Sequence, residues 1–176
     1  PRLVFSSSPS VTFDGDHQRG VDETVPYPTR WLCHYPHSKA LAEQHVLDSN
    51  DDSLAACALR PHLIWGPEDP HLVPRVLARH SRLKIIGDGR AKVGICYVDN
   101  AAHAHVLAAD ALSFGSKNAG KAYFITDLEP VYLWEWLNSV FQRMGKKPIT
   151  SKISSRLAYA VGAVLEGIWT MFGLGG

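Results

Sequence analysis

An α/β fold on a largely parallel sheet is what the sequence predicts. Two short apolar runs, RLVFSS at 2–7 and SLAACALRP at 53–61, are continuous rather than alternating, as suits strands buried on both faces. Segments of helical period are interleaved with these runs and with KAYFITD at 121–127. Strand-then-helix repetition of that kind belongs to parallel sheets.

The elements can be justified in order. After the first run, residues 9–33 are rich in Pro, Gly, Asp and Thr and predict a long surface loop. From Pro36 to Leu47, the spacing of Ala40, Leu41, Ala42, His45 and Val46 predicts an amphipathic helix, with Pro36 tolerated in its first turn. The second strand ends at Arg60-Pro61, and LIWGPEDPHLVP at 63–74 is a three-proline loop leading into a helix near 73–80. LKIIGDGRAKVGICYV at 83–98 reads as two short strands joined through Asp88-Gly89, a turn pair. Residues 99–113 predict an alanine-rich helix capped by Asp99 or Asn100, since short polar side chains satisfy the first amides. KAYFITD is a further strand, and VYLWEWLNSVFQRMG at 131–145 a helix ending at Gly145. Leu157, Val161, Val164, Leu165, Ile168 and Phe172 form a last helical stripe.

Composition narrows the function classes. The 176 residues are 45% hydrophobic and 20% charged, ordinary for a chain with a real core. Eighteen basic and 17 acidic residues leave a formal charge of +1. No basic stripe stands out, so a nucleic-acid partner is not expected. Three widely spaced cysteines, Cys33, Cys57 and Cys96, fit reduced thiols in a cytoplasmic setting better than a disulfide framework. The abrupt opening on a core-like strand suggests a fragment whose upstream part is missing.

Tyr35 and Lys39 fall at i and i+4, on one face of the predicted helix. Such pairs are also common on plain helix surfaces, so the spacing alone does not decide their role. An ammonium about 5 Å from a tyrosine favours the phenolate by roughly 3 kcal/mol at an effective dielectric near 20. That is enough to recruit a phenol into acid–base chemistry. A third group is needed to hold a substrate oxygen, and FSSSPSV at 5–11 puts serines at the C-terminal end of a buried strand, where open α/β sheets bind ligands.

In order, LVFSSSPSVTFDG, YPHSK, LRPHLIWGP and YVDNAAHAHVLA resemble the landmarks of an extended short-chain dehydrogenase/reductase. The chain is most similar to the 3β-hydroxysteroid dehydrogenase branch and its sterol-4α-carboxylate 3-dehydrogenase-like members, over nearly its whole length. The resemblance implies the C-terminal part of a Rossmann-like doubly wound parallel sheet plus a small mixed α/β substrate-binding region. Residues 1–64 would carry the last strands and catalytic helix of the dinucleotide-binding domain. Residues 65–176 would be mainly substrate-binding, with one return to the main sheet. The resemblance further makes Tyr35 the acid/base and Lys39 its partner, bonded also to the nicotinamide ribose. Ser8, with Ser7 as the alternative in register, would orient the substrate. Pro61 and His62 would meet the nicotinamide carboxamide, and Pro9, Ser10 and Trp65 would line the substrate pocket. NAD or NADP is the implied cofactor, without a preference between them.

That family's glycine-rich turn is not found. GDGRAKVG at 87–94 fits neither glycine fingerprint and reads as a turn. The chain by itself is therefore expected to show little or no turnover, the activity belonging to the full-length parent. His103 and His105 point to different helix faces, so metal binding is not expected. His34 and His37 border the pair and read as surface residues, and Asp99 as a helix cap. Trp134 and Trp136 are expected to face core and solvent alternately. Glu166, Gly162 and Gly167 interrupt the C-terminal stripe, which favours a lid or a helix lying on a membrane surface over a spanning helix. The expected partners are a small apolar alcohol or ketone, a membrane surface met peripherally, and a second copy in a homodimer.

The function expected is thus oxidation of a secondary alcohol on a bulky apolar substrate by a nicotinamide-dependent enzyme. A nucleotide-sugar epimerase or dehydratase is the alternative within the superfamily; there Arg75 and Arg79 would either pair with a diphosphate or face water. A non-catalytic dinucleotide-binding scaffold is the alternative from another class, and the intact Ser8, Tyr35 and Lys39 argue against it.

Overall fold

The computed structural model describes residues 1–171. First come β1 (Arg2–Ser6), a 3-10 turn at Pro9–Thr12, α1 (His34–Asp48), β2 (Ala55–Pro61) and β3 (Ile64–Trp65). Next are α2 (Leu72–Ala78), β4 (Ile85–Ile86), β5 (Lys92–Val93), β6 (Cys96–Tyr97) and α3 (Val98–Ala111). The order closes with β7 (Ala122–Ile125), β8 (Val131–Tyr132), α4 (Leu133–Arg143), β9 (Lys152–Ile153) and α5 (Ser155–Met171). Two compact units result: Pro1–Leu72 with Gly94–Glu129, and Val73–Val93 with Pro130–Gly176.

The first unit is a three-stranded parallel sheet in the order β1-β2-β7. All seven residues of the central strand β2 are buried, which is why its sequence is a continuous run of small and apolar residues. Successive side chains on a strand point to opposite faces. Ala55 and Cys57 accordingly pack with Val4, Ala108 and Leu112 on the α3 side. Arg60, three residues beyond Cys57, turns to the other face and meets α1.

There Arg60 and Glu43 form a buried ion pair, with Glu43 fully buried and Arg60 3% exposed. Arg60 Nη2 donates to Glu43 Oε1 at 2.6 Å, and Nε donates to Oε2 at 3.0 Å. The Tyr27 hydroxyl, from the long loop, donates to the same Oε1 at 2.6 Å. The Phe124 and Tyr27 rings flank the guanidinium, with centroids 5.1 and 5.7 Å away. Burial opposes the charge on Glu43, but the bonds from Arg60 and Tyr27 outweigh it and hold the carboxyl below its usual range. Tyr27 is pushed up to about 12, by burial first and then by Glu43.

The long loop is pinned again where Glu23 accepts from the Phe124 amide at 2.8 Å, on β7. The helix cap differs from expectation. Neither Asp99 nor Asn100 caps α3: Asp127, just past β7, accepts the Tyr97 amide at 3.1 Å and the Asn100 side chain at 2.8 Å. A carboxylate from the neighbouring strand end thus holds the entry to α3, while no side chain accepts from the first helical amides.

In the second unit, α4 lays Leu137 and Phe141 on Ile85 and Ile149. Trp134 and Trp136 both pack, partly buried, against this cluster; the expected alternation of core and solvent fails because indoles reach the core from its flanks. The expected β4–β5 hairpin does not form either. Gly87 and Gly89 do take positive φ (66° and 80°) in a turn, yet β4 pairs in parallel with β9 and β5 antiparallel with β8. Burial of Ile85 against α4 decides that pairing, not the turn. Gly145, at φ 69°, ends α4 as its sequence predicts. On α5, Leu157, Val161, Val164 and Leu165 are exposed. Phe172 and the side chains of Glu166 and Ile168 lie outside what the structure describes. No described helix is long and apolar enough to cross a membrane.

Removing one partner of a buried pair leaves the other charge uncompensated, so Glu43→Ala in the full-length protein should cost roughly 3–5 kcal/mol in denaturant unfolding. The double substitution Glu43→Leu with Arg60→Met should recover most of that loss. A single-variant cost below about 1 kcal/mol, the scale of an exposed pair, would count against this role.

Candidate active site

Past β1 the Ser7 amide still follows the sheet, donating to the Leu59 carbonyl at 2.7 Å. Ser8 then caps the 3-10 turn, its Oγ accepting the Ser10 amide at 3.3 Å. The Ser8 and Ser10 hydroxyls are bonded at 2.9 Å. Tyr35 lies in the first turn of α1 and is 58% exposed. Pro61 ends β2, and the His62 amide donates to the Ile125 carbonyl at 3.1 Å, carrying the sheet ladder one residue further.

These pieces surround a pocket of about 370 Å³ at the C-terminal ends of β1 and β2. Of the residues singled out in the sequence, Ser8, Pro9, Ser10, Tyr35, Pro61 and His62 line it together. Lys39 stands one helical turn beyond Tyr35. Its Nζ donates to the Ser6 carbonyl at 2.7 Å and lies 4.6 Å from the Phe5 ring centroid, which fixes the ammonium at the end of β1. Ser7 is buried and outside the lining. Trp65 sits on β3, edge-on to Tyr97 at 5.2 Å, and is not among the lining residues.

Three lining residues carry no clear sequence signal: Phe13, Gln18 and Leu63. Phe13 and Gln18 come from the segment that reads as surface loop; Gln18 Nε2 donates to the Thr12 carbonyl at 2.6 Å, folding the loop back on the 3-10 turn. Leu63 adopts φ 41°, a strained value for a side-chain-bearing residue.

His62 is fixed by a glycine. Its Nδ1 is 2.5 Å from the Gly94 carbonyl, and a carbonyl only accepts, so Nδ1 carries the proton. A Cβ on Gly94 would lie 2.8 Å from Thr126 Cγ2 and 3.1 Å from His62 Nδ1. The segment that reads as a simple turn therefore ends in a residue whose missing side chain makes room for the imidazole. Burial lowers the His62 pKa, and the Gly94 bond works the other way. His105 also has an assignable tautomer: Nδ1 donates to the Ala101 carbonyl and Nε2 accepts from the Ser6 hydroxyl, both at 2.7 Å. His37 stacks on Trp31 at 5.4 Å. The residues present fit the nicotinamide end of a dinucleotide, because the pocket opens at the carboxyl edge of a parallel sheet and has the volume of a small-ligand site.

A family model described as the 3-beta hydroxysteroid dehydrogenase/isomerase family matches residues 1–154. A 2-alkyl-3-oxoalkanoate reductase from Shewanella oneidensis is 51% identical over 175 residues, covering 94% of this chain and 45% of that protein. Mouse sterol-4-alpha-carboxylate 3-dehydrogenase, decarboxylating, is 36% identical over 170 residues, covering 94% and 47%. The chain spans about half the length of the curated relatives it matches. Among solved structures, MoeE5 in complex with UDP-glucose and NAD matches with a TM-score of 0.63 and 26% identity, over 88% of this chain and 52% of that one.

A histidine with a lowered pKa stays neutral in the fold while the unfolded chain takes up a proton. Stability is then lost as pH falls below the ordinary histidine range, about 6.5. His62→Gln should flatten this part of the pH–stability curve of the full-length protein, measured by denaturation between about pH 7.5 and 5.5. Gly94→Ala should destabilise at every pH, through the clash with Thr126.

Proposed function

Since this chain belongs to the 3-beta hydroxysteroid dehydrogenase/isomerase family, we propose that the protein it forms part of is an NAD(P)-dependent oxidoreductase interconverting a secondary alcohol and a ketone. The observation that carries this reading is the convergence of Ser8, Tyr35 and His62 on one pocket, with Lys39 fixed one turn further along α1.

When bound, the nicotinamide supplies or accepts the hydride. The chain's own residues handle the oxygen and its proton. Tyr35 Oη gives a proton to the ketone oxygen in reduction and takes it back in oxidation. Ser8 donates a hydrogen bond to the same oxygen and so holds it in line with Tyr35. Lys39, anchored on the Ser6 carbonyl, holds its ammonium at the end of β1, one helical turn from Tyr35, where it can bond the cofactor's ribose. Phe13, Pro9 and Leu63 offer apolar contact to the body of the substrate.

Two relatives sharpen the substrate class. One is named for a 3-oxo acid alkylated at carbon 2; the other is named for dehydrogenation at carbon 3 beside a carboxylate on carbon 4. Both names place the reacting carbon next to a carboxylate-bearing carbon. The substrate proposed here is therefore a bulky 3-oxo or 3-hydroxy carboxylic acid. A nucleotide-sugar substrate is the alternative, supported by the likeness to MoeE5.

Turnover of the full-length protein on a 2-alkyl-3-oxoalkanoate, a sterol 4-carboxylate and UDP-glucose decides between these substrates. Reduction of the first or oxidation of the second is expected, and activity on UDP-glucose alone would sink the assignment. Tyr35→Phe should lower kcat by about 10²–10⁴-fold with the melting temperature unchanged. A Tyr35→Phe variant as active as the parent would remove Tyr35 from the chemistry.

A further inference from the structure

We propose that Ser10 is a positioning residue, whose amide and hydroxyl together aim the Ser8 proton into the pocket at the reacting oxygen of the substrate. This rests on the reading of Ser8 as the group that holds that oxygen. A serine hydroxyl has one proton and two lone pairs. The Ser10 amide occupies one lone pair of Ser8 Oγ at 3.3 Å. The hydroxyl of Ser10, 2.9 Å away, occupies the second when its proton is turned toward Ser8. What remains is the Ser8 O–H, which then has to point away from Ser10. Both residues line the pocket with Tyr35.

In the opposite arrangement Ser8 spends its proton on Ser10 and has none for the substrate. A ketone oxygen only accepts, so its binding selects the first arrangement. An alcohol oxygen that is losing its proton to Tyr35 selects the same one, so a single geometry serves both directions. Donation along the chain Ser10 to Ser8 to substrate also strengthens the last bond, because linked hydrogen bonds polarise one another.

The turn does not need the Ser10 hydroxyl. It is closed by the Val11 amide on the Ser8 carbonyl and the Phe13 amide on the Ser10 carbonyl, each at 3.2 Å. The Thr12 hydroxyl donates to the Pro9 carbonyl at 3.1 Å. A change at Ser10 that spares the backbone therefore tests orientation rather than folding.

The test is a double-mutant cycle in the full-length protein, reducing a 2-alkyl-3-oxoalkanoate with NADH or NADPH. Ser10→Ala should lower kcat about 3- to 10-fold, the scale of one oriented hydrogen bond, with the cofactor KM and the melting temperature unchanged. Ser10→Thr should restore most of the rate. Ser10→Cys, similar in size but a weak donor, should behave like Ser10→Ala, and it serves if the alanine variant does not fold. Combined with Ser8→Ala, loss of the Ser10 hydroxyl should cost nothing further, because its target is gone. A Ser10→Ala variant as fast as the parent, or one whose loss adds in full to that of Ser8→Ala, overturns the proposal while leaving Ser8 in place. A Ser8→Ala variant as fast as the parent overturns the reading of Ser8 itself, and the proposal with it.

Discussion

The buried pair between Glu43 and Arg60 ties the helix that carries Tyr35 and Lys39 to the central strand of the sheet. A charge removed from water is costly unless it is paired and fully bonded. Here the cost is met by a two-point guanidinium–carboxylate contact, a tyrosine hydroxyl and two flanking rings. The arrangement is demanding in geometry, since neither ion can shift along its element without losing a partner. Tyr35, two turns before Glu43 on the same helix, inherits that register relative to β2 and to Pro61 at its end.

The pocket draws on the same constraint. Tyr27 brings the long loop down onto Glu43 and Glu23 pins it to β7, so a segment without regular structure has fixed attachment points. Phe13 and Gln18 are presented to the pocket from the start of that loop. Elsewhere in the lining, the imidazole of His62 is set by a carbonyl that only a glycine can bring so close. Both parts of the lining are held by contacts that lie outside the pocket itself.

Much of this was legible in the residues, and the exceptions share a cause. Continuous burial of β2 is written in AACALRP, and the Tyr–Lys spacing and strand-end serines are local patterns. Arg60 inside that run and Glu43 among alanines and leucine are buried charges that no local pattern singled out. Their mutual pairing was not visible, because 17 residues separate them. The bond from Tyr97, at the entry to α3, to Asp127 and the pairing of β4 with β9 likewise join residues distant in sequence. A turn such as Gly87–Gly89 specifies a local bend but not which strand lies alongside.

By itself, the sequence determined the α/β class and the alternation of its longer strands and helices, and it singled out Tyr35, Lys39 and the strand-end serines as candidates for acid–base chemistry. Periodicity and residue type are local properties and survive in a one-dimensional reading. Only the tertiary structure decided that Ser8, rather than Ser7, faces the pocket, that Trp65 packs on Tyr97 outside it, and that Ser10 is bonded to Ser8. The physical reason is that these outcomes turn on differences of an ångström or two between side chains. Such distances are fixed by burial and by hydrogen bonds between remote segments.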